Sequence, residues 1–454
     1  MIKSNIKTTA ESFGHFTVHK ITIAALILIL SAASHSEINV HFNKSVDHSY
    51  AYSGNEANGN TDFIDIMIDR IDAAQYSLDM AVYSFNYTSL SNAVISAYNR
   101  GVDVRVVYDD RSIQTGMQYL INAGIPYIQR TDSEGYMHNK FYIFDARDST
   151  SLDDDWVITG SWNATVSGTW SNCQNIVEIQ DSGLASAYTI EFNEMFGSTT
   201  NVPNTSLARF GNDKLDNTPH LFNIDGVEVE LYFSPSDNTT SHIIQQVQTA
   251  QSSACFGLLA FTRYDIANAL YLQSAAGTVV RGIMNDTGGT GTQWNYLNTF
   301  AEMYEWTLSG IFHHKYAFFD YDIPSSGPVI LTGSHNWSNA AENNNDENTL
   351  IFKSADIVNQ YVQEFAARIA DLGGSLPPPI LETVDDLTIE FFQYNVGLSW
   401  TAVPGASSYK VYCSPEPYAL FSEWEYLGTT TIPFFMDDDA FYEGVKYYVV
   451  TVAG

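Results

Sequence analysis

The chain has 454 residues, 52 of them acidic and 20 basic, giving a formal net charge of -32. That length is too great for one compact core and predicts about three domains. The charge excludes general surface attraction to a phosphate polymer, which such a protein repels at long range unless a local groove reverses the sign.

At the N-terminus Lys3, Lys7 and Lys20 precede an apolar run at 21–30 and the small residues Ser31, Ala32, Ala33 and Ser34. Basic flank, apolar core and small residues in that order predict a secretory signal over residues 1–36, and so a secreted or cell-envelope protein. The run is short for a membrane span; an uncleaved anchor or a buried strand are the plainer readings. Removing it drops three lysines and one glutamate, which leaves the remainder more acidic. Cys173, Cys255 and Cys413 permit at most one disulfide and contain no Cys-x-x-Cys pair, so they read as buried small side chains.

Residues 37–60 are polar and rich in Asn and Gly, which predicts an arm and a loop. Phe63, Ile64, Met67, Ile71 and Ala74 then recur at helical spacing behind Thr61-Asp62. A strand at 77–85, a helix at 89–99, a turn at Arg100-Gly101 and a strand at 102–109 complete a β-α-β order, which predicts an α/β layer with a parallel or mixed sheet. The order returns downstream: strand 227–233, helix 242–250, strand 253–262, helix 265–274, Gly277 and strand 279–284. Gly101 aligns with Gly277 and Arg105 with Arg281. The repeat predicts two pseudo-symmetric halves at 45–210 and 224–373, connected through 199–223 and forming one body. A Gly-Gly-Ser-Leu-Pro-Pro-Pro stretch predicts a linker at 374–381. Beyond it, at 382–454, short alternating strands between Pro and Gly turns predict an all-β sandwich. Trp400 and Tyr447 there resemble the core tryptophan and corner tyrosine of a fibronectin type III domain.

Each half carries one copy of a compound motif. The first is His138-Asn139-Lys140 with Asp145, then Gly160-Ser161-Trp162-Asn163; the second is His313-His314-Lys315 with Asp320, then Gly333-Ser334-His335-Asn336. Aromatic and β-branched residues fill both segments, which favours strands, so His138 and Lys140 share a face, as do Ser161 and Asn163. Imidazole, ammonium, hydroxyl and amide form a set suited to holding a phosphate. Two such sets facing each other bring two histidines to one phosphorus. By strand alternation His314 points away and packs; His335 occupies the variable position, where it lines the pocket or packs.

The paired H-x-K-x4-D and G-S-x-N blocks resemble the phospholipase D superfamily over residues 50–370. The resemblance implies a phosphodiesterase in which one histidine attacks phosphorus to form a phosphohistidine, and the other protonates the leaving alcohol and then activates water. Carried onto this chain, His138 is the nucleophile and His313 the acid. Lys140, Lys315, Asn163 and Asn336 hold phosphate oxygens, and Ser161 and Ser334 add hydrogen bonds. Asp145, Asp320, Gly160 and Gly333 are structural motif positions. Glu347, 13 residues after Ser334, is expected to orient an imidazole, taken as His313, whose pKa it would raise in favour of the proton-donor role; such a carboxylate equally suits a charged phosphohistidine. Gln174 stands at the matching offset in the first half. Lysine beside each histidine argues against a binuclear metal site, so neither metal nor cofactor is expected.

The acidic surface favours a phospholipid or membrane surface as partner over nucleic acid, and hence lipid degradation. An endonuclease of the same superfamily and an exported binding protein with an inert body are the alternatives. The C-terminal domain is read as a module for a surface or polymer target, and the body as monomeric.

Overall fold

A computed structural model describes residues 36–453 except for 53, 110–113, 324–325, 378–383, 385, 393–394, 404–405, 407, 417–423 and 439–445. The signal-peptide reading falls almost wholly outside the described residues.

The first half contains β1 (Glu37–Phe42), α1 (Phe63–Ala73), β2 (Ser77–Val82), α2 (Thr88–Arg100), β3 (Asp103–Tyr108), α3 (Thr115–Asn122), β4 (Tyr127–Gln129), β5 (Lys140–Phe144), β6 (Trp156–Gly160), α4 (Val166–Trp170), β7 (Asn175–Gln180) and α5 (Ser182–Phe196). The second half runs β8 (Leu221–Ile224), β9 (Val227–Ser234), α6 (Thr239–Thr249), β10 (Ser253–Leu258), α7 (Tyr264–Ala276), β11 (Val279–Met284), α8 (Trp294–Leu297), β12 (Glu302–Glu305), β13 (Lys315–Phe319), β14 (Val329–Gly333), α9 (Asn339–Asn343), β15 (Glu347–Lys353) and α10 (Ala355–Asp371). The first sheet is ordered β1-β7-β6-β5-β2-β3-β4, and the second β8-β9-β15-β14-β13-β10-β11-β12. Apart from β8, every strand has its counterpart, and both sheets are mixed: β2, β3 and β4 are parallel, while β5 runs antiparallel to β2.

Local chemistry sets these boundaries. The Asp62 side chain accepts the N–H of Ile64 and starts α1, which buries Phe63, Ile64, Met67 and Ile71, each worth about 1.5–3 kcal/mol of transfer free energy. Gly101 and Gly277, at φ +102° and +113°, end α2 and α7, where a side chain would strain the left-handed turn. Tyr188 and Phe192 of α5 and Tyr361 and Phe365 of α10 share one apolar core with residues of both sheets, among them Phe141, Val177, Phe318 and Leu350. The halves therefore fold onto a common interior.

Four expectations change. Residues 37–60 are not only arm and loop, because β1 pairs along β7 with Val40 and Phe42 buried. The alternation of Ile38, Val40 and Phe42 is a period-two signal beside a longer Asn/Gly-rich stretch; the first half begins at 37, not 45. The connection 199–223 reaches into β8 and buries Lys214. Part of the 374–381 linker is tied down: Leu376 is buried, Tyr50 donates to its carbonyl, and Tyr321 Oη donates to that of Pro377 at 3.0 Å. Tyr447 is exposed, and its neighbour Tyr448 packs instead, donating to Asp437 at 2.9 Å. All three cysteines are free and buried.

The C-terminal domain is all-β, with β16 (Thr388–Phe391), β17 (Val396–Ser399), β18 (Ser408–Ser414), β19 (Glu425–Thr430), β20 (Phe434–Asp437) and β21 (Tyr447–Ala453). They form two three-stranded antiparallel sheets, β16-β17-β20 and β19-β18-β21. Leu398, Trp400, Tyr409, Val411 and Val450 make their core.

Candidate active site

His138 and His313 stand just before β5 and β13, and each is anchored to the other half. The His138 N–H donates to the carbonyl of Asp346 at 2.9 Å, and the His313 N–H to that of Cys173 at 3.0 Å. These carbonyls immediately precede Glu347 and Gln174, so the backbone that fixes each histidine also presents its ring partner. His138 Nδ1 lies 2.6 Å from Glu347 Oε2. His313 Nδ1 lies 2.9 Å from Gln174 Oε1 and 3.1 Å from the carbonyl of Ser161. Glu347 thus serves His138, not His313 as the sequence led us to expect. Strand order within one half cannot reveal a partner swap between halves.

The protonation pattern follows from the acceptors. Glu347 is held below the usual carboxylate range: burial pushes it up, but His138 and Lys140 outweigh that. An ionised carboxylate only accepts, so His138 Nδ1 carries the proton. In the other half the Asn175 N–H donates to Ser161 Oγ at 3.0 Å, which sends the hydroxyl proton to Gln174 Oε1 at 2.9 Å. Oε1 is then an acceptor, and His313 Nδ1, which Lys315 Nζ also approaches at 3.1 Å, donates to it at the shorter distance of 2.9 Å. Both rings have their Nδ1 committed, and among the described residues neither Nε2 has a hydrogen-bond partner.

Lys140 Nζ donates to the carbonyl of His138 at 2.6 Å, and Lys315 Nζ likewise to that of His313. Both ammonium groups are almost fully buried. Burial lowers Lys140 to about 7, and Lys315 goes well below its ordinary value through burial and then Lys140. Burial takes His138 down to about 4 despite Glu347. His313 falls well below its ordinary value through burial, then Lys315, Lys140 and His138. Four buried basic groups face one site, with Glu347 and Asp109 the carboxylates that act on Lys140; each is lowered by burial, and an arriving anion would favour its charged form.

The remaining motif residues divide. The amide oxygens of Asn163 and Asn336 are buried without a hydrogen-bond partner among the described residues. Ser161 and Ser334, expected to add hydrogen bonds to phosphate, are engaged by the backbone. Both are fully buried and accept from the backbone N–H of Asn175 and Asn348, each at 3.0 Å. Two-residue strand spacing fails there because Ser161 and Ser334 stand just past the strands, where the chain turns. Asp145 and Asp320 are structural: at φ +58° and +57° they accept N–H groups of Gln75, Tyr76 and Ser77, and of Gln251, Ser252 and Ser253. Gly160 and Gly333 are needed for close approach, since a Cβ would sit 2.3 and 2.2 Å from the carbonyls of Asn175 and Asn348. His314 packs, with Nδ1 3.0 Å from Asn175 Oδ1 and Nε2 3.2 Å from Glu364. His335 is buried 3.5 Å from Glu342.

Sequence reasoning missed several supporting residues. Tyr83 packs its ring 4.8 Å from that of His138, and Lys140 Nζ lies 5.2 Å from the Tyr83 centroid. Asn345 donates to Glu347 Oε1 at 3.1 Å. Asp346 accepts from Arg130 at 2.8 Å and lies 3.6 Å from Lys214, an ion network that joins the halves. Asn348 donates to Asn139 at 3.0 Å and accepts from Thr159, while Asn175 donates to Thr332 at 2.9 Å and Tyr361 at 3.0 Å. Asn175 and Asn348 each follow a histidine's ring partner, a signal visible only once those partners are known.

The family described as cardiolipin synthase, PLD-like domain, matches residues 67–196 and again 243–369, together more than half of the chain. Mitochondrial cardiolipin hydrolase of Xenopus tropicalis is 37% identical over 126 residues, 27% of this chain and 56% of that protein. Phospholipase D of Rickettsia prowazekii (strain Madrid E) is 32% identical over 137 residues, covering 29% and 59%. The chain thus spans somewhat over half the length of the curated relatives it matches. Phosphatidylserine synthase of Haemophilus influenzae Rd KW20 shares the fold, with a TM-score of 0.51 at 14% identity over 68% of this chain and 84% of that one. With two family matches, one on each half and each enclosing one histidine-lysine motif, this chain belongs to the phospholipase D-like family.

Proposed function

We propose that the protein is a phosphodiesterase that hydrolyses phospholipid headgroups through a phosphohistidine, without a metal. The observation that carries this reading is the crosswise pairing: each Nδ1 is engaged by the opposite half, and each Nε2 is left open beside buried lysines. A phosphodiester supplies an anion to these groups. Its non-bridging oxygens take the two ammonium groups, and the amides of Asn163 and Asn336, once rotated, donate N–H to them.

His138 Nε2 attacks phosphorus and forms the P–N bond as the P–O bond to the alcohol breaks. The ionised Glu347 steadies the positive charge that grows on that ring. The alcohol oxygen takes its proton from His313 Nε2, which the bound anion has helped to charge. Gln174, a neutral acceptor, does not hold that charge back, so the proton leaves readily. His313, now neutral, takes a proton from water; the water oxygen attacks phosphorus, and the P–N bond breaks to free the phosphomonoester. With a phospholipid this product is phosphatidic acid.

The excess of 52 acidic over 20 basic residues disfavours a polynucleotide, and relatives named cardiolipin hydrolase and phospholipase D favour a lipid. We also read the N-terminal segment as directing export, and the C-terminal sheets around Trp400 as a fibronectin type III-like module. The test is purified protein with phosphatidylcholine, phosphatidylethanolamine, cardiolipin or single-stranded DNA, each with chelator, and with His138→Ala as control. Phosphatidic acid or its cardiolipin-derived counterpart is the expected product. Cleavage of DNA alone overturns the lipid reading, and loss of activity to chelator overturns the metal-free chemistry.

A further inference from the structure

The pseudo-symmetry gives the site two equivalent rims, each built from the short helix after a G-S-x-N block and the loop leading to the opposite half's histidine. One rim joins α4 to residues 308–312, where a Cβ on Gly310 would meet the Ser171 carbonyl at 2.0 Å. The other joins α9 to residues 132–137, where a Cβ on Gly135 would meet the Asn344 carbonyl at 2.1 Å. Gly135 and Gly310 each stand three residues before their histidine. The backbone contacts are the same; the exposed side chains are not.

On the first rim Val166 is 57% exposed, Trp170 52%, Leu308 44% and Ile311 42%. The positions equivalent to Val166 and Trp170 on the second rim are Asn339 and Asn343, both exposed. Its loop offers Asp132, Ser133 and Glu134, with Tyr136 in place of Ile311. Since the same fold carries Asn339, Asn343 and Ser133 opposite Val166, Trp170 and Leu308, folding does not require these three apolar residues to face water; only the fourth place keeps a partly apolar side chain, Tyr136 at 41% exposure. Trp170 and Leu308 border the same cavity of about 500 Å³, together with Lys44, Trp306, Arg368 and Asp371. Lys44 donates to the Trp170 carbonyl at 2.7 Å and, among the described residues, has no carboxylate partner. In a chain of net charge -32, an unpaired cation beneath an exposed tryptophan fits an interface with phosphate at its surface and hydrocarbon below.

We infer that the rim of Val166, Trp170, Leu308 and Ile311 is a docking face for a phospholipid bilayer, which inserts these side chains and delivers the headgroup phosphate into the adjoining site. The inference rests on the phospholipid reading of that site. Ile311 is two residues from His313, and α4 begins three residues after Asn163, so the docked surface adjoins the chemistry. Attraction here is apolar and short-ranged, because the net charge repels an anionic membrane at a distance. Binding therefore survives high salt, unlike that of a polybasic anchor.

The test is flotation of the full chain with phosphatidylcholine vesicles at low and high salt, comparing wild type with Trp170→Gln/Leu308→Ser. Turnover of soluble bis(p-nitrophenyl) phosphate and thermal melting are followed alongside. The expected result is a drop in vesicle partition of about tenfold or more, little altered by salt, with soluble turnover and melting unchanged. Asn343→Ala on the polar rim is expected to leave partition unchanged and guards against a general surface effect. Undiminished partition of the double variant overturns the proposal. So does a change in its sedimentation coefficient without a change in partition, which marks a self-association face. Wild type that floats with vesicles but cleaves neither lipid nor soluble diester supports the docking face and sinks the catalytic reading alone.

Discussion

Glu347 and Gln174 occupy the same place in two copies of one fold, 13 residues after Ser334 and Ser161, yet one is an acid and the other its amide. Each grips the Nδ1 of the opposite half's histidine. The backbone duplicates the geometry faithfully and leaves the charge unduplicated. One ring thereby has an ionised partner that would steady a positive charge and the other a neutral one that would not, and the proposed roles of nucleophile and acid rest on that difference. The strongest way to break this comparison is to delete each ring. His138→Ala and His313→Ala are each expected to lose about 10²–10⁴-fold in kcat on a phospholipid. On a diester with a p-nitrophenolate leaving group, which needs no proton, His313→Ala should recover most of its first step and His138→Ala none. Equal recovery by both would erase the distinction.

Exchanging the partners comes next. Glu347→Gln gives both rings an amide, and kcat should fall about 10–100-fold with little change in KM, because the lost interaction grows with the charge on His138. Gln174→Glu is expected to cost less. A carboxylate beside His313 raises its pKa, so the alkaline limb of the kcat profile should move to higher pH. A Gln174→Glu profile identical to wild type would mean that His313 transfers no proton in the slow step.

The fold was legible because the repeat is. Strands and helices fell where alternation and helical spacing put them, and the offset of β1 came from a short strand beside a polar stretch. The candidate site was legible as residue types: His138, Lys140, His313 and Lys315 converge on one place. What the sequence could not disclose is which side chain meets which across a pseudo-twofold interface. Glu347 reaches His138 over 209 positions, and no local periodicity carries that information. Ser161 and Ser334 were misread for a related reason, since a residue just past a strand end no longer obeys strand alternation.

Stability repeats the contrast one residue earlier. Asp346 precedes Glu347 and ties Arg130 and Lys214 across the interface, while its counterpart Cys173 precedes Gln174 and is a free thiol. Asp346→Asn leaves two buried cations without their shared partner, and denaturant unfolding should show a loss of about 3–5 kcal/mol. Cys173→Ala removes only a small apolar group and should cost about 1 kcal/mol. If the two losses were equal, the ion network would add nothing to the shared apolar core in joining the halves.

The smallest expected effect separates the lysines. Burial first of all lowers Lys140 to about 7 and Lys315 well below its ordinary value. A bound anion favours the charged form of each, so binding takes up protons. A group depressed when free and raised when bound gives its tightest anion binding below its free pKa, and affinity then declines as pH rises toward the bound value. Sulfate, whose own charge is fixed near neutrality, should therefore bind more weakly as pH rises above 7, by up to about tenfold per pH unit for each lysine that takes up a proton. Calorimetry in buffers of different ionisation heat should show protons entering with the ligand. Lys140→Met should remove the onset near pH 7, whereas Lys315→Met, which also relieves a neighbouring charge, should keep it and move it upward. A pH-independent sulfate affinity in wild type would mean that both ammonium groups are already charged before the anion binds, and that the anion is bound by two fixed cations instead of recruiting its own.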